Sequence, residues 1–337
     1  MDKIALKEIA EKLVSPKKGI LAADESMGTI KKRFESVGLV STPELNRQYR
    51  QMLFSTPKIE DFISGVILFD ETVRQKDDQG VAFPEYLSQR GMIPGIKMDE
   101  GKEVYRNDKE MVTKGLKGLS ERLLEYKKMG LKFTKWRAVT YIDEIYPSPE
   151  AILENAKRLA EFAKISQENG FVPIIEPEVL MEGEHTITKC ELISKLVLKA
   201  VFEELEKKEV FLEGSLLKTN MVLPGNKSLV KSEPKEVSQF TLRVLEEAVP
   251  KEIPGVVFLS GGQSSKEAIA NLNRMNEEEK EYPWELSYSF GRALQGPSLT
   301  AWKGKDINVT MAQEALYQVA RQASLARQGK YKEEVKE

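Results

Sequence analysis

The feature that most constrains this chain is an alternation. Short apolar runs rich in valine, isoleucine, leucine and phenylalanine recur along it, with helical patterns between many of them. The runs are 19–24 (GILAAD), 63–69 (ISGVILF), 94–98 (PGIKM), 133–139 (FTKWRAV), 172–178 (VPIIEPE), 215–222 (SLLKTNMV), 255–260 (GVVFLS) and 286–291 (LSYSFG). Segments 149–169, 186–207, 234–248 and 264–276 carry apolar residues three and four apart, as at Ile152, Ala156, Leu159, Phe162, Ala163 and Ile165. Several of them open on Ser, Thr or Pro, which helix starts favour. A last helix runs to about Arg327, capped by Asn308 or Thr310; Thr310 and Gln313 have capping-box spacing. Strands alternating with helices imply a parallel sheet. Eight runs without a Gly/Ser-rich linker predict one closed (β/α)8 TIM barrel, a single α/β domain over 1–337 with a short N-terminal helix and a short charged tail. An open doubly wound sheet would call for a Gly-rich phosphate turn after the first run, where Asp24-Glu25-Ser26 stands instead.

Composition narrows the function. With 337 residues, 41% of them hydrophobic, the chain can bury a large core. A net charge of −2 argues against bulk nucleic-acid binding, which needs a basic field to displace counterions from phosphates. No stretch approaches the ~20 apolar residues of a membrane span. The start, MDKIALKEIA, has no signal-type apolar core, so the cytoplasm is the expected compartment. One cysteine, Cys190, allows no intrachain disulfide, and there is one histidine, His185. Zinc sites draw on several His and Cys ligands, and a Ser-His-Asp relay needs a histidine beside its nucleophile. This scarcity leaves only an all-carboxylate metal site. His185 reads as a surface residue at a helix start, and 276–281 as a solvated helix end.

In a barrel, residues at the carboxyl ends of the strands converge on one mouth. The polar residues there are Asp24, Asp70, Glu71, Lys97, Lys135, Arg137, Glu176, Glu178, Lys218, Ser260, Ser289 and Arg292. An unpaired charge inside an apolar strand costs several kcal/mol, so these groups pair with one another or meet a ligand. A buried lysine among other cations has a lowered pKa. Its free amine attacks carbonyls, and the protonated imine then accepts the electrons of a breaking carbon–carbon bond. Carboxylates supply the general acid and base. Arginines, lysines and Ser/Gly amides suit phosphates. Singly, each residue has a plainer explanation. Lys218 suits a solvent-facing strand, Lys135 with Glu176 a barrel salt bridge, Asp24 a helix cap, 260–262 a turn and 291–292 a surface loop. Their common position at strand ends favours the joint reading.

The segments GILAADES (19–26), FDETVRQ (69–75), PGIKMD (94–99), FTKWRAV (133–139), VPIIEPEVL (172–180), GSLLKTNMVLPG (214–225), VVFLSGGQS (256–264), FGRALQ (290–295) and SLARQGKY (324–331) run in order over nearly the whole chain. Together they resemble the class I fructose-1,6-bisphosphate aldolases. The resemblance implies a metal-free, cofactor-free lyase that cleaves fructose 1,6-bisphosphate to dihydroxyacetone phosphate and glyceraldehyde 3-phosphate. It also implies sugar-phosphate ligands and a homo-oligomer, commonly a tetramer. Lys218 matches the Schiff-base lysine, Asp24 the acid that orders the substrate hydroxyl and assists cleavage, and Glu176 the acid/base of carbinolamine dehydration. Glu178 and Lys135 match its charged neighbours, and Arg137 a residue of the phosphate end. Ser260, Gly261, Gly291 and Arg292, with Ser289 close by, resemble the 1-phosphate set. Ser26, Thr29 and Lys97 resemble the 6-phosphate set, with Arg33 a mobile contributor. The chain departs from the family at Thr219, where many relatives have proline, and at Met27 and Thr29. Its tail, KYKEEVKE, lacks the terminal tyrosine of long relatives. Return of the carbanion proton then falls to Glu176, Asp24 or a bound water. A transaldolase or deoxyribose-phosphate aldolase would share the lysine but not need two phosphate sites. A zinc aldolase would need histidines. A barrel turned scaffold would have lost a catalytic position, and Asp24, Lys135, Glu176, Lys218 and Arg292 are all present.

Overall fold

A computed structural model describes residues 1–278 and 280–332. Among these, eight parallel strands close into a barrel. They are β1 (Gly19–Ala23), β2 (Ile63–Leu68), β3 (Ile93–Lys97), β4 (Phe133–Thr140), β5 (Val172–Val179), β6 (Leu216–Thr219), β7 (Gly255–Phe258) and β8 (Glu285–Phe290). Each pairs with its sequence neighbours, and β8 returns to β1 through Ile20 opposite Ser289. This is the (β/α)8 barrel that the alternation predicts. Each expected run supplies one strand, and helices such as Pro149–Glu168, Ile187–Lys207, Pro234–Ala248 and Ser265–Asn276 lie between strands.

Local chemistry sets the helix starts. Ser148, Thr186 and Ser264 each accept a bond from the third residue onward, and Ser264 with Glu267 closes a capping box. The last helix, Val309–Arg327, ends where expected and takes the first of its two expected caps, but the capping box does not form. Its cap residue is Asn308, whose side chain makes no capping bond but donates to the Trp302 carbonyl at 3.0 Å, and Gln313 does not serve Thr310. The Gln313 amide instead donates to the Met52 carbonyl and Ser55, tying this helix to Pro43–Phe54. The sixth run is also shorter than expected. Asn220 ends β6 because its side-chain oxygen, rather than a ladder carbonyl, accepts from the Val179 amide at 2.9 Å. A polar hairpin, Lys102–Asn107 with Glu110–Thr113, follows β3. Its first strand is almost wholly exposed, so it carries no apolar alternation that would reveal it. His185 is half-buried rather than on the surface, just ahead of the Thr186 cap. The acidic segment 276–281 does end a helix at Asn276, and Glu277 and Glu278 pair with Arg274; Glu279 and the tail 333–337 lie outside the described residues.

The barrel interior is layered. Alternate strand residues face inward, and the floor is apolar: Ile20, Ile67, Phe133, Ile174, Leu216 and Val257 form one cluster with Leu6, Ala10 and Leu13 of the helix Lys3–Leu13. That helix plugs the barrel from below. Phe133 has room because two inward positions beside it lack side chains. A Cβ at Gly95 would come within 2.4 Å of its ring, and one at Gly65 within 3.2 Å. One layer above, the inward positions become charged.

Candidate active site

Strand register brings the charges together. Ile174 of β5 pairs with Leu216 of β6, so two residues onward Glu176 and Lys218 stand side by side. On the other flank, Lys135 of β4 pairs with Ile174, and Arg137 pairs with Glu176. The result is a chain of ion pairs across the mouth. Lys218 Nζ lies 3.0 Å from Glu176 Oε1, Lys135 Nζ 3.2 Å from Glu176 Oε2, and Lys135 Nζ 2.6 Å from Asp24 Oδ2. Lys135, Glu176 and Lys218 are all buried. Asp24 does not cap a helix. Ser26, two residues on, starts the helix Met27–Glu35, and Asp24 faces the lysines.

The electrostatics follow from this packing. Burial works against charge on Asp24, but Lys135 and Lys218 outweigh it and hold the carboxyl well below its ordinary range. Burial opposes Glu176 as well, and Lys135, Lys218 and Arg137 overcome it. Lys135 moves the other way: desolvation is outweighed by Asp24, Glu176 and Asp99, so its ammonium is held firmly protonated. Lys135 is therefore a fixed positive charge, with a carboxylate on each side. Glu178 is taken by Arg137, and Lys97 by the carboxylate and carbonyl of Asp99. Among the described residues, no group of three or more His, Cys, Asp and Glu side chains converges as a metal site.

These residues line one cavity of about 1380 Å³ at the carboxyl ends of the strands. All the residues given site roles by resemblance line it: Asp24, Lys135, Glu176, Glu178 and Lys218 at the centre, and Ser26, Thr29, Arg33, Lys97, Arg137, Ser260, Gly261, Ser289, Gly291 and Arg292 around them. Two helices begin at the same space, and the first amides of a helix have no intrahelical partner. Ser26 opens Met27–Glu35, with its hydroxyl 3.1 Å from that of Thr29. Gly291 opens Arg292–Trp302 without a side-chain cap. Gly261 turns with φ +57, a conformation that suits glycine, and Arg292 donates to its carbonyl at 2.9 Å. The Ser289 hydroxyl is buried and has no hydrogen-bond partner among the described residues.

Three placements differ from the sequence reading. Glu71 leaves the mouth; it accepts from Asn46 at 3.1 Å and does not line the cavity. Asp70 lies on the rim in a short helix, bonded to Arg74 and Tyr126. Arg33, grouped by resemblance with Ser26, Thr29 and Lys97, reaches across to Gly291: its Nη2 lies 3.5 Å from the point a Cβ on that glycine would occupy. Asp99, Glu25, Arg50 and Gln295 were missed. Asp99 had a signal, since two residues after Lys97 it shares that strand face.

The family model described as fructose-bisphosphate aldolase class-I matches residues 5–337. The chain is 48% identical over 328 residues to human fructose-bisphosphate aldolase C, covering 97% of this chain and 90% of that one. It is 45% identical over 330 residues to a probable class 1 fructose-bisphosphate aldolase of Xanthomonas campestris, covering 97% and 98%. Among solved structures, fructose-bisphosphate aldolase from Plasmodium falciparum, crystallised with TRAP and a small-molecule inhibitor, superposes with a TM-score of 0.96. Its sequence identity is 47%, over 98% of this chain and 96% of that one. The charged barrel mouth and these similarities agree: the chain belongs to the class I fructose-bisphosphate aldolases, a family of lyases.

Proposed function

We propose that this aldolase works by covalent catalysis at Lys218, without metal or other cofactor. The observation that carries the reading is the buried contact between Lys218 Nζ and Glu176 Oε1 at 3.0 Å, with Lys135 fixed behind Glu176. One proton passed across that contact does two things: it frees the lone pair of Lys218 and arms Glu176 as an acid. The amine adds to the C2 carbonyl of open-chain fructose 1,6-bisphosphate. Glu176 then returns that proton to the C2 oxygen, which gives the carbinolamine, and carries a second proton from the nitrogen to the new hydroxyl; this leaves as water and the iminium forms. Asp24, kept ionised by Lys135 and Lys218, takes the proton of the C4 hydroxyl. The C3–C4 bond breaks, its electron pair enters the iminium, and glyceraldehyde 3-phosphate departs. The resulting enamine takes a proton from Glu176, Asp24 or a bound water, and hydrolysis frees dihydroxyacetone phosphate. Lys135 supports the sequence by offsetting charge on both carboxylates.

The two phosphates go to the two ends of the cavity. Ser260, Gly261, Ser289, Gly291 and Arg292 take the 1-phosphate; Ser26, Thr29 and Lys97 take the 6-phosphate, with Arg137 lining the mouth beside Glu178. We assign the protein to the cytoplasm and to a homotetramer, in keeping with its family; the spinach relative, 47% identical, is named a cytoplasmic isozyme. No helix among the described residues is long and apolar enough to cross a membrane. The test is cleavage of fructose 1,6-bisphosphate after exhaustive treatment with EDTA. Undiminished turnover is expected; inhibition that added zinc restores would overturn the mechanism.

A further inference from the structure

Glu25 adjoins Asp24 in sequence, yet its carboxylate turns away from the lysines. It is buried and takes three donors: Arg33 through Nη1, Arg50 Nη2 at 2.5 Å and Gln295 Nε2 at 2.8 Å. Arg50 is also buried and donates its other terminal nitrogen to Gln295 Oε1 at 3.3 Å. Gln295 Nε2 donates again to the Ala22 carbonyl, at 2.7 Å. The carboxylate is thus fixed from behind by two helices and the end of β1. Arg33 is different. Its side chain is part-exposed and lines the cavity, with Nη1 on Glu25 and Nη2 turned toward Gly291. Two guanidinium groups face one carboxylate, so one positive charge is left over. Arg50 is buried and does not line the cavity, and the surplus is therefore presented by Arg33.

We propose that Glu25 is a positioning residue of the phosphate pocket at the Gly291–Arg292 end. Backed by Arg50 and Gln295, it holds one edge of Arg33 so that the other edge meets a phosphate oxygen there. A guanidinium left free would have to be ordered anew at each binding event, at a cost in side-chain entropy. The pairing also explains why Glu25 stays ionised: burial opposes its charge, but Arg50 and Arg33 outweigh it. The inference rests on that end being the 1-phosphate site.

The test compares Arg33→Ala, Glu25→Gln and Arg292→Ala on fructose 1,6-bisphosphate and on fructose 1-phosphate, which has no phosphate at C6. Arg33→Ala should raise KM for both substrates alike, by roughly 10- to 100-fold, the worth of charge-assisted bonds to phosphate, with kcat changing far less. Glu25→Gln should follow the same pattern with a smaller factor. Guanidinium chloride should rescue Arg33→Ala, but not the double variant that also lacks the Glu25 carboxylate. If Glu25→Gln does not fold because Arg50 loses its partner, Glu25→Asp keeps that charge, withdraws it from Arg33 by one methylene and serves the same comparison. A loss confined to fructose 1,6-bisphosphate in Arg33→Ala would place Arg33 at the other phosphate and overturn the proposal. So would guanidinium rescue that is indifferent to Glu25. An Arg292→Ala enzyme with unchanged KM for fructose 1-phosphate would instead refute this end as a phosphate site, and the proposal with it.

Discussion

Phe133 and Lys135 sit two residues apart on β4 with side chains on the same face, one in the barrel floor and the other in its mouth. Phe133 fills the space left by Gly65 and Gly95, under the helix Lys3–Leu13. Its contribution is apolar area removed from water, and an apolar side chain of similar volume would give most of it. Lys135 is buried just as fully, but its burial is unfavourable alone. It is tolerated because Asp24 and Glu176 lie within 2.6 and 3.2 Å. The floor therefore holds the barrel together, while the mouth stores charge that the floor makes affordable. Damage should separate accordingly, with chemistry lost at the top and stability lost at the bottom.

The largest separation should come from Glu176→Gln. The amide keeps the shape but neither takes the proton of Lys218 nor returns it to the C2 oxygen. We predict a fall in kcat of roughly 100-fold or more, with the carbinolamine accumulating in rapid-quench experiments. Wild-type turnover would refute the role of Glu176. Phe133→Ala should do the reverse. Removing a buried phenylalanine costs about 3–5 kcal/mol of stability, measurable by urea denaturation, while KM and kcat of the folded fraction stay within a few-fold. A selective collapse of kcat would show that floor and mouth are mechanically coupled.

Acid should sharpen the comparison, because it titrates the mouth and leaves the apolar floor untouched. Asp24 and Glu176 have folded-state pKa values below their ordinary 3.8 and 4.5. Their stabilising contribution is complete above those ordinary values. Below them the unfolded chain takes protons that the folded chain resists, and the contribution is lost as pH falls toward the folded values. Wild-type stability should therefore begin to decline below about pH 4.5, the ordinary carboxylate range. A Phe133→Ala background should show the same slope from a lower starting point; a different slope would mean that the floor variant disturbs the ion pairs.

The floor and the mouth were not equally legible in the sequence. Apolar runs with helices between them are local signals, so the barrel could be read directly. The charged residues at strand ends stood out against those runs, and their order matched a known family. What local pattern could not supply was partnership. Nothing near Glu25 announces that its carboxylate belongs to Arg50 and Gln295, the latter 270 residues away. Glu71 appeared to end a strand, but the chain enters a short helix at Asp70 and turns Glu71 toward Asn46. Thr310 and Gln313 had the right spacing for a cap, yet a contact with the Pro43–Phe54 helix took the glutamine first. In each case a long-range packing contact outweighed the local signal.

On the proposed mechanism Lys218 alone carries the covalent bond: Lys135 is held protonated between Asp24 and Glu176 and Lys97 is taken by Asp99, which leaves Lys218 to pass its proton to Glu176. The direct measurement is borohydride reduction of the enzyme with dihydroxyacetone phosphate, followed by mass spectrometry of the labelled peptide. A single adduct on Lys218 is expected, absent from Lys218→Arg, which keeps a positive charge but offers no free amine. An adduct on Lys135 or Lys97, or trapping that survives Lys218→Arg, would contradict it.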